Sequence, residues 1–356
     1  MSQIKSIRNQ AFSLPLKTSL SWGKSSRLDA LEHVLVWVET QSGHVGIAEA
    51  PARPTIYGET PQSIDIIIKD YLAPKLINLD IEDVAGIQAA LNSIKNNHTA
   101  RGASDIAMCE ARAQTQGKTL FETYAGQHTS LEVSFILGIA DVKDMVAEAR
   151  QVFEAGVQVF KTKIGRDSRQ DLAVIRALQH EFANEDVTLY ADANEGMNPE
   201  MAAHELEALA NLGVAYVEEP LPVHLLRERV QLKRDSVLPI IADDSCFSLR
   251  DLERELAFDT FDILNIKPAR TGYTQSLNMM ELAQSADKQI MFGSQAQSGL
   301  GTLHTAILAS RVSGLPHELS FPLKLESDSL NAPVPYQNGH LDLNALGEHR
   351  LKKQFN

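Results

Sequence analysis

The chain has 356 residues, 44% hydrophobic and 22% charged, with a formal net charge of −13 and no basic cluster to offset it, which disfavours nucleic acids and anionic membranes as partners. Cys109 and Cys246 are the only cysteines and lack CxxC spacing, so neither a disulfide framework nor a zinc site is indicated, and a reducing cytoplasm is the expected location. No run of ~18 apolar residues occurs, and no long apolar stretch follows the basic residues near the start, so export and membrane spanning are not expected and a small molecule is the expected partner.

In chain order, the first ~125 residues show extended alternation up to about Ala48. Turn-forming Pro51, Pro54 and Gly58 follow, then helical stretches through Arg112, so residues 1–125 read as a separate α+β domain. From Val133 onward short apolar runs alternate with helical patterns, the signature of repeated βα units around a parallel sheet. The strands are expected at Val133–Leu137, Val157–Lys163, Val187–Asp192, Val214–Glu218, Pro239–Asp243, Asp262–Lys267 and Gln289–Phe292, with a short last one near His317–Ser320. Between them, Asp141 is placed to cap a helix whose apolar face includes Met145, Ala149 and Val152, ended by Gly156. Asn198 and Pro199 look like the cap and first position of another, ended by Gly213. Residues 126–325 thus form a barrel domain, and the turn-rich tail, 326–356, is too short to fold alone and is expected to return to the first domain.

Charged residues close otherwise apolar strands. Lys161 and Lys163 end one, and Asp192, Glu218, Asp243 and Lys267 end the next four, 24 to 29 residues apart, about one βα unit each. In a parallel barrel all carboxyl ends face the same rim, where barrel enzymes place their chemistry. Three neighbouring carboxylates repel unless a hard cation lies between them, and all-oxygen ligation suits Mg²⁺, with Mn²⁺ as a substitute. A lysine beside such a cation and a second ammonium is pushed down toward ~7–8, where it can act as a base. The proton next to a carboxylate is very weakly acidic, so a metal-stabilised enediolate is the expected course.

Each residue also has a plain structural reading. An acidic residue ending a strand is commonly a solvated edge or a helix cap. Taken singly, Lys163 reads as the partner of a helix carboxylate and Lys267 as extending from a half-buried strand. Their joint occurrence at one end of five consecutive strands argues against chance.

The segments Lys161-Thr162-Lys163, Asp192-Ala193-Asn194, Val217-Glu218-Glu219-Pro220, Ala242-Asp243-Asp244-Ser245 and Asn265-Ile266-Lys267 resemble the enolase superfamily, specifically its muconate lactonizing enzyme-like subgroup. The resemblance spans most of the chain. It implies an α/β fold: a modified (β/α)7β TIM-like barrel with an N-terminal α+β capping domain and a C-terminal segment rejoining the cap. It implies Asp192, Glu218 and Asp243 as Mg²⁺ ligands, Lys163 and Lys267 as the acid/base pair on opposite faces of the substrate carbon, and Lys161 as an electrostatic assistant. It also implies that cap segments Leu16–Ser26, with Trp22, and Ala50–Thr60, with Arg53 and Tyr57, close over the pocket, and that Asn194, Gln295 and Glu318 contact substrate. Relatives often associate, so a homo-oligomer fits the resemblance.

Subgroup reactions include racemisation of N-acyl amino acids, epimerisation of dipeptides, dehydration of hydroxyproline, muconate cycloisomerisation and o-succinylbenzoate synthesis. Dipeptide epimerases of this kind carry Asp-x-Asp on the last strand to hold the substrate ammonium; here the pattern becomes Glu318-x-Ser320. Gln297 stands where many relatives have Glu, implying different electrostatics around the leaving or accepting group. Two facing lysines suit racemisation or epimerisation of an amino-acid-like or dipeptide carboxylate first, dehydration of a hydroxyproline-type acid second, and cycloisomerisation or an o-succinylbenzoate synthase-like reaction third. A catalytically silent scaffold would be free to lose a ligand or lysine, and none of the six positions is lost. No G-x-G-x-x-G follows a candidate strand, which argues against a dinucleotide enzyme.

Overall fold

A computed structural model describes residues 2–23, 26–345 and 352. Its first layer is an antiparallel sheet of β1 (Ile4–Trp22), β2 (Ser26–Thr40) and β3 (Val45–Pro51). Leu16 and Leu20 are buried while the residues between them are exposed, and a register shift between Pro15 and Leu20 absorbs the irregular spacing. The β1–β2 hairpin therefore runs through most of Leu16–Ser26, the cap segment expected to close over the pocket; its Lys24 and Ser25 lie outside the described residues.

Period two divides the β2 side chains between two cores. Val34, Val36 and Val38 join the helices of the cap, whereas Leu31, Leu35 and Trp37 pack with Phe321 and Leu325. Helix His98–Thr115 then lies against helix Pro268–Ser285 of the barrel. Gly102 permits this approach: a Cβ there would stand 2.5 Å from the Ala269 carbonyl oxygen.

β4 (Ser130–Glu132) precedes seven parallel strands: β5 (Ser134–Leu137), β6 (Val159–Lys163), β7 (Thr188–Asp192), β8 (Val214–Glu218), β9 (Ile240–Ala242), β10 (Ile263–Ile266) and β11 (Gln289–Phe292). They form one sheet in sequence order. It closes through the segment at His317, which makes a parallel bridge to Val133, accepts the Ser134 N–H at 2.8 Å, and joins β11 by Glu318 N–H to Phe292 O at 2.9 Å. The expected eighth strand is thus a single bridging pair, too short for a ladder of its own. Helix Ala202–Asn211 begins later than the Asn198–Pro199 signal suggested, because Asn198 instead accepts the Glu200 N–H in a turn.

The tail touches the cap where Glu326 N–H donates to Pro15 O at 3.0 Å. It then forms a hairpin, β12 (Tyr336–Gln337) and β13 (His340–Asp342), which pairs with β4. Among the described residues no helix is long and apolar enough to cross a membrane.

Candidate active site

Strand alternation aims the charged residues into the barrel. Val159, Tyr190, Ile241, Ile263 and Met291 pack together inside it, while Phe160, next to Val159, stacks on Phe182 outside at 5.5 Å. Residues two and four beyond Val159 share its side, which brings Lys161 and Lys163 inward; Asp192 follows Tyr190, Asp243 follows Ile241, and Asn265 and Lys267 follow Ile263 in the same way.

Lys161 is only 1% exposed and sits among three carboxylates, with Nζ 2.8 Å from Asp192 Oδ2, 2.8 Å from Glu218 Oε2 and 2.5 Å from Glu318 Oε1. Lys163 Nζ is 2.6 Å from Asp192 Oδ2 and donates to Asn194 Oδ1 at 2.9 Å. On the other side of the carboxylates, Lys267 Nζ lies 2.5 Å from Asp243 Oδ2, and Arg270 Nη2 lies 3.0 Å from Asp243 Oδ1. Arg270 was not singled out from the sequence. It stands one helical turn after Lys267, and that spacing was the available signal.

The electrostatics follow from burial and pairing. Burial opposes ionisation of Asp192, but the ammoniums of Lys161 and Lys163 outweigh it and hold the carboxyl at about 2. Burial likewise opposes, and Lys267 and Arg270 overcome, for Asp243, which is held well below the ordinary range. Glu218 goes the other way, pushed well above its ordinary value by burial and by the charge of Asp192. Burial disfavours charge on Lys161 and Lys267, yet their carboxylate partners raise both above the ordinary lysine value.

Glu219 adopts φ +40°, and its side chain has partners different from those of Glu218. Its carboxylate accepts the N–H groups of Asp243 and Ser245 at 2.8 and 2.9 Å and pairs with Arg229 at 3.2 Å. Glu219 thus fixes the turn that carries Asp243. Glu219 was not assigned a role from the sequence.

A cleft between cap and barrel is lined by Trp22, Lys163, Asn194, Asp243, Lys267 and Gln295, with Arg53 and the apolar Leu20, Ile56 and Phe321. Lys161, Asp192, Glu218 and Glu318 are buried beyond that lining. Glu318, Tyr57 and Gln297 have these partners. Glu318, expected against substrate, is held by Lys161 and accepts the Ser294 N–H at 2.8 Å, and Ser320 donates to Ser134 O at 2.6 Å, so the Glu318-x-Ser320 pair is spent on closing the barrel. Tyr57 packs edge-on against Phe247, 5.1 Å between ring centroids, with its hydroxyl near Arg270, Lys267 and Asp243, and burial pushes that hydroxyl up to about 12. Gln297 turns to Thr305, whose hydroxyl donates to it at 3.3 Å.

Among the described residues, His, Cys, Asp and Glu side chains do not converge in a group of three at metal-ligating spacing: Asp192 and Glu218 share Lys161, whereas Asp243 faces Lys267 and Arg270. The chemistry of the set fits nonetheless. Three buried carboxylates end adjacent strands, and Glu218 Oε2 and Asp243 Oδ1 have ionic neighbours but no directed hydrogen bond. Burial and acidic neighbours leave Glu218 in need of a proton or a further cation, and hard oxygen donors suit magnesium.

A capped barrel with lysines on either side of three strand-end carboxylates defines a class of proton-moving barrel enzymes. Residues 6–123 match the mandelate racemase / muconate lactonizing enzyme N-terminal domain family, and residues 144–347 match the enolase C-terminal domain-like family. The chain belongs to the enolase superfamily, in its muconate lactonizing enzyme-like subgroup. It is 28% identical over 311 residues to the D-Ala-D/L-Ala epimerase of Cytophaga hutchinsonii, covering 86% of this chain and 83% of that one. Muconate lactonizing enzyme from Mucobacterium Smegmatis, solved with muconolactone, superposes with a TM-score of 0.92 at 32% identity, covering 99% of this chain and 98% of that one. A dipeptide epimerase from Cytophaga hutchinsonii, solved with Mg and the dipeptide D-Ala-L-Val, superposes with a TM-score of 0.89 at 25% identity, covering 99% and 97%.

Proposed function

We propose that the protein is a racemase or epimerase that inverts the α-carbon of a small amino-acid-like carboxylate, with Lys163 and Lys267 as the two proton-transfer groups. The observation that carries this reading is that both ammonium groups line one cleft from β6 and the end of β10, with the carboxylate-bearing strands β7 to β9 between them. One lysine, in its neutral form, takes the α-proton, and the C–H electron pair delocalises into the adjacent carboxylate. The other, as an ammonium, returns a proton to the opposite face, so the carbon inverts and the exchange balances.

Asp192, Glu218 and Asp243 would hold Mg²⁺, consistent with the magnesium in the Cytophaga hutchinsonii dipeptide epimerase. When bound, it would supply positive charge where negative charge builds on the substrate carboxylate. Lys161 keeps Asp192 and Glu218 facing the barrel axis, and Asn194 orients Lys163.

The engagement of Glu318 by Lys161 favours substrates whose nitrogen is acylated over those with a free ammonium, because no carboxylate of the closing segment is left to receive one. Cycloisomerisation is the second reading, supported by the 32% identity to a muconate lactonizing enzyme. A small-molecule carboxylate in the cytoplasm is the partner that this chemistry and the charge of −13 fit.

Incubating N-acyl amino acids, dipeptides, hydroxyprolines and muconate with the enzyme and Mg²⁺ in D₂O separates these readings. Deuterium at the α-carbon with inversion supports racemisation. Loss of water, or lactone formation without inversion of any amino-acid derivative, overturns it.

A further inference from the structure

The three lysines of the site each have a carboxylate partner, but among the described residues one cation of the same cleft has no direct one. Arg53, on the cap segment after β3, is 3% exposed and lines the cleft. Among the described residues its hydrogen bonds go only to neutral groups. Nη1 donates to Ala52 O at 2.5 Å, and Nη2 donates to the carbonyls of Gln295 and Ala296, the latter at 2.8 Å. Nη2 also meets His33 Nε2 at 3.2 Å.

A guanidinium can only donate, so His33 Nε2 must be the bare ring nitrogen and the proton sits on Nδ1. Nδ1 lies 3.5 Å from Glu49 Oε1, so the nearest acidic group along this line is separated from Arg53 by a whole imidazole. Glu49 is itself occupied by Ser298, whose N–H donates to it at 2.9 Å. Carbonyls and one imidazole fix the plane of the guanidinium without neutralising it, and a buried charge in that condition is costly. Around it, Leu20, Ile56, Ile136 and Phe321 form apolar walls.

We propose that Arg53 is a specificity-determining residue that binds a second carboxylate of the substrate, joined to the reacting end by a short apolar spacer. This rests on the function proposed above and narrows its substrate class to acidic molecules. The second carboxylate has two chemical sources, a diacid N-acyl group or an acidic side chain.

Two matched pairs separate them: N-succinyl-alanine against N-succinamoyl-alanine, and N-acetyl-glutamate against N-acetyl-glutamine. Binding is read by calorimetry and turnover by α-deuterium exchange. The wild type is expected to bind the acidic member of one pair about 10- to 100-fold more tightly than its amide, as for a charged hydrogen-bonded contact. Arg53→Gln brings that ratio to about one, mainly through KM, and Arg53→Lys keeps part of it because charge survives without the planar fork. A wild-type ratio near one in both pairs overturns the proposal, and so does Arg53→Gln with the wild-type ratio. If Arg53→Gln does not fold, Arg53→Lys with an undiminished ratio does the same. Exchange from no compound would sink the proton-transfer reading instead, while the binding ratios would still decide the role of Arg53.

Discussion

Lys161 on β6 and Glu318 on the closing segment meet at 2.5 Å across the barrel interior, binding residues 157 positions apart. The same ammonium holds Asp192 and Glu218, so three buried carboxylates share one cation, and only Asp192 has a second, Lys163. Lys161→Met is expected to lower the unfolding free energy by about 3–5 kcal/mol, the usual cost of leaving buried charge uncompensated. Urea unfolding measures this. Millimolar Mg²⁺ is expected to restore part of the loss, and a variant as stable as the wild type without added cation contradicts the assignment.

Chelation provides a separate test of the carboxylate set. Exhaustive treatment with a chelator is expected to abolish α-proton exchange, and Mg²⁺ to restore it. A stabilisation of roughly 2.7 kcal/mol is expected at a hundred times the dissociation constant. Glu218→Gln should remove both effects. Full exchange after chelation would argue against any metal role.

Gly102 ties the cap to the helix that begins beside Lys267. A methyl group there would stand 2.5 Å from Ala269 O and 3.1 Å from the Arg270 carbonyl carbon, backbone atoms that cannot swing aside. Gly102→Ala is expected to cost about 1–3 kcal/mol of stability, as overpacking does. It should also lower kcat, since the displaced segment carries Lys267 and Arg270. Unchanged denaturation and kinetics would show that the helices part without consequence.

His317 links pH to barrel closure. Burial, helped by the charge of His128, lowers its pKa to about 4, and its Nδ1 accepts the Phe292 N–H at 3.2 Å. A histidine whose folded value lies below its ordinary 6.5 contributes stability that is present above pH 6.5 and lost as pH falls through 4. The shift corresponds to roughly 3 kcal/mol. His317→Gln is expected to flatten the pH dependence of unfolding by one proton between these limits, and an unaltered slope would contradict it.

The parallel strands were legible because buried strands show as short apolar runs ending in charge: Val187–Asp192 in the sequence reading is Thr188–Asp192 in the structure. The last strand was weakly legible, since its role rests on one bridge and a few hydrogen bonds rather than on an apolar run. Pairings were not legible. Which carboxylates share Lys161, and that Glu318 is among them, depends on barrel closure between distant segments. The β1–β2 hairpin was legible as extended alternation, but the packing of Leu16 and Leu20 with Phe321 and Leu325, which joins it to the barrel, was not.

Single-turnover α-proton exchange in D₂O, followed separately for each stereoisomer, tests the two-lysine mechanism most directly. With a substrate found in the compound screen, Lys163→Ala is expected to lose exchange from one stereoisomer and Lys267→Ala from the other, each by about 10²–10⁴-fold, the range of a general base. Both variants retaining full exchange from both stereoisomers, with their fold intact by circular dichroism, would contradict the mechanism.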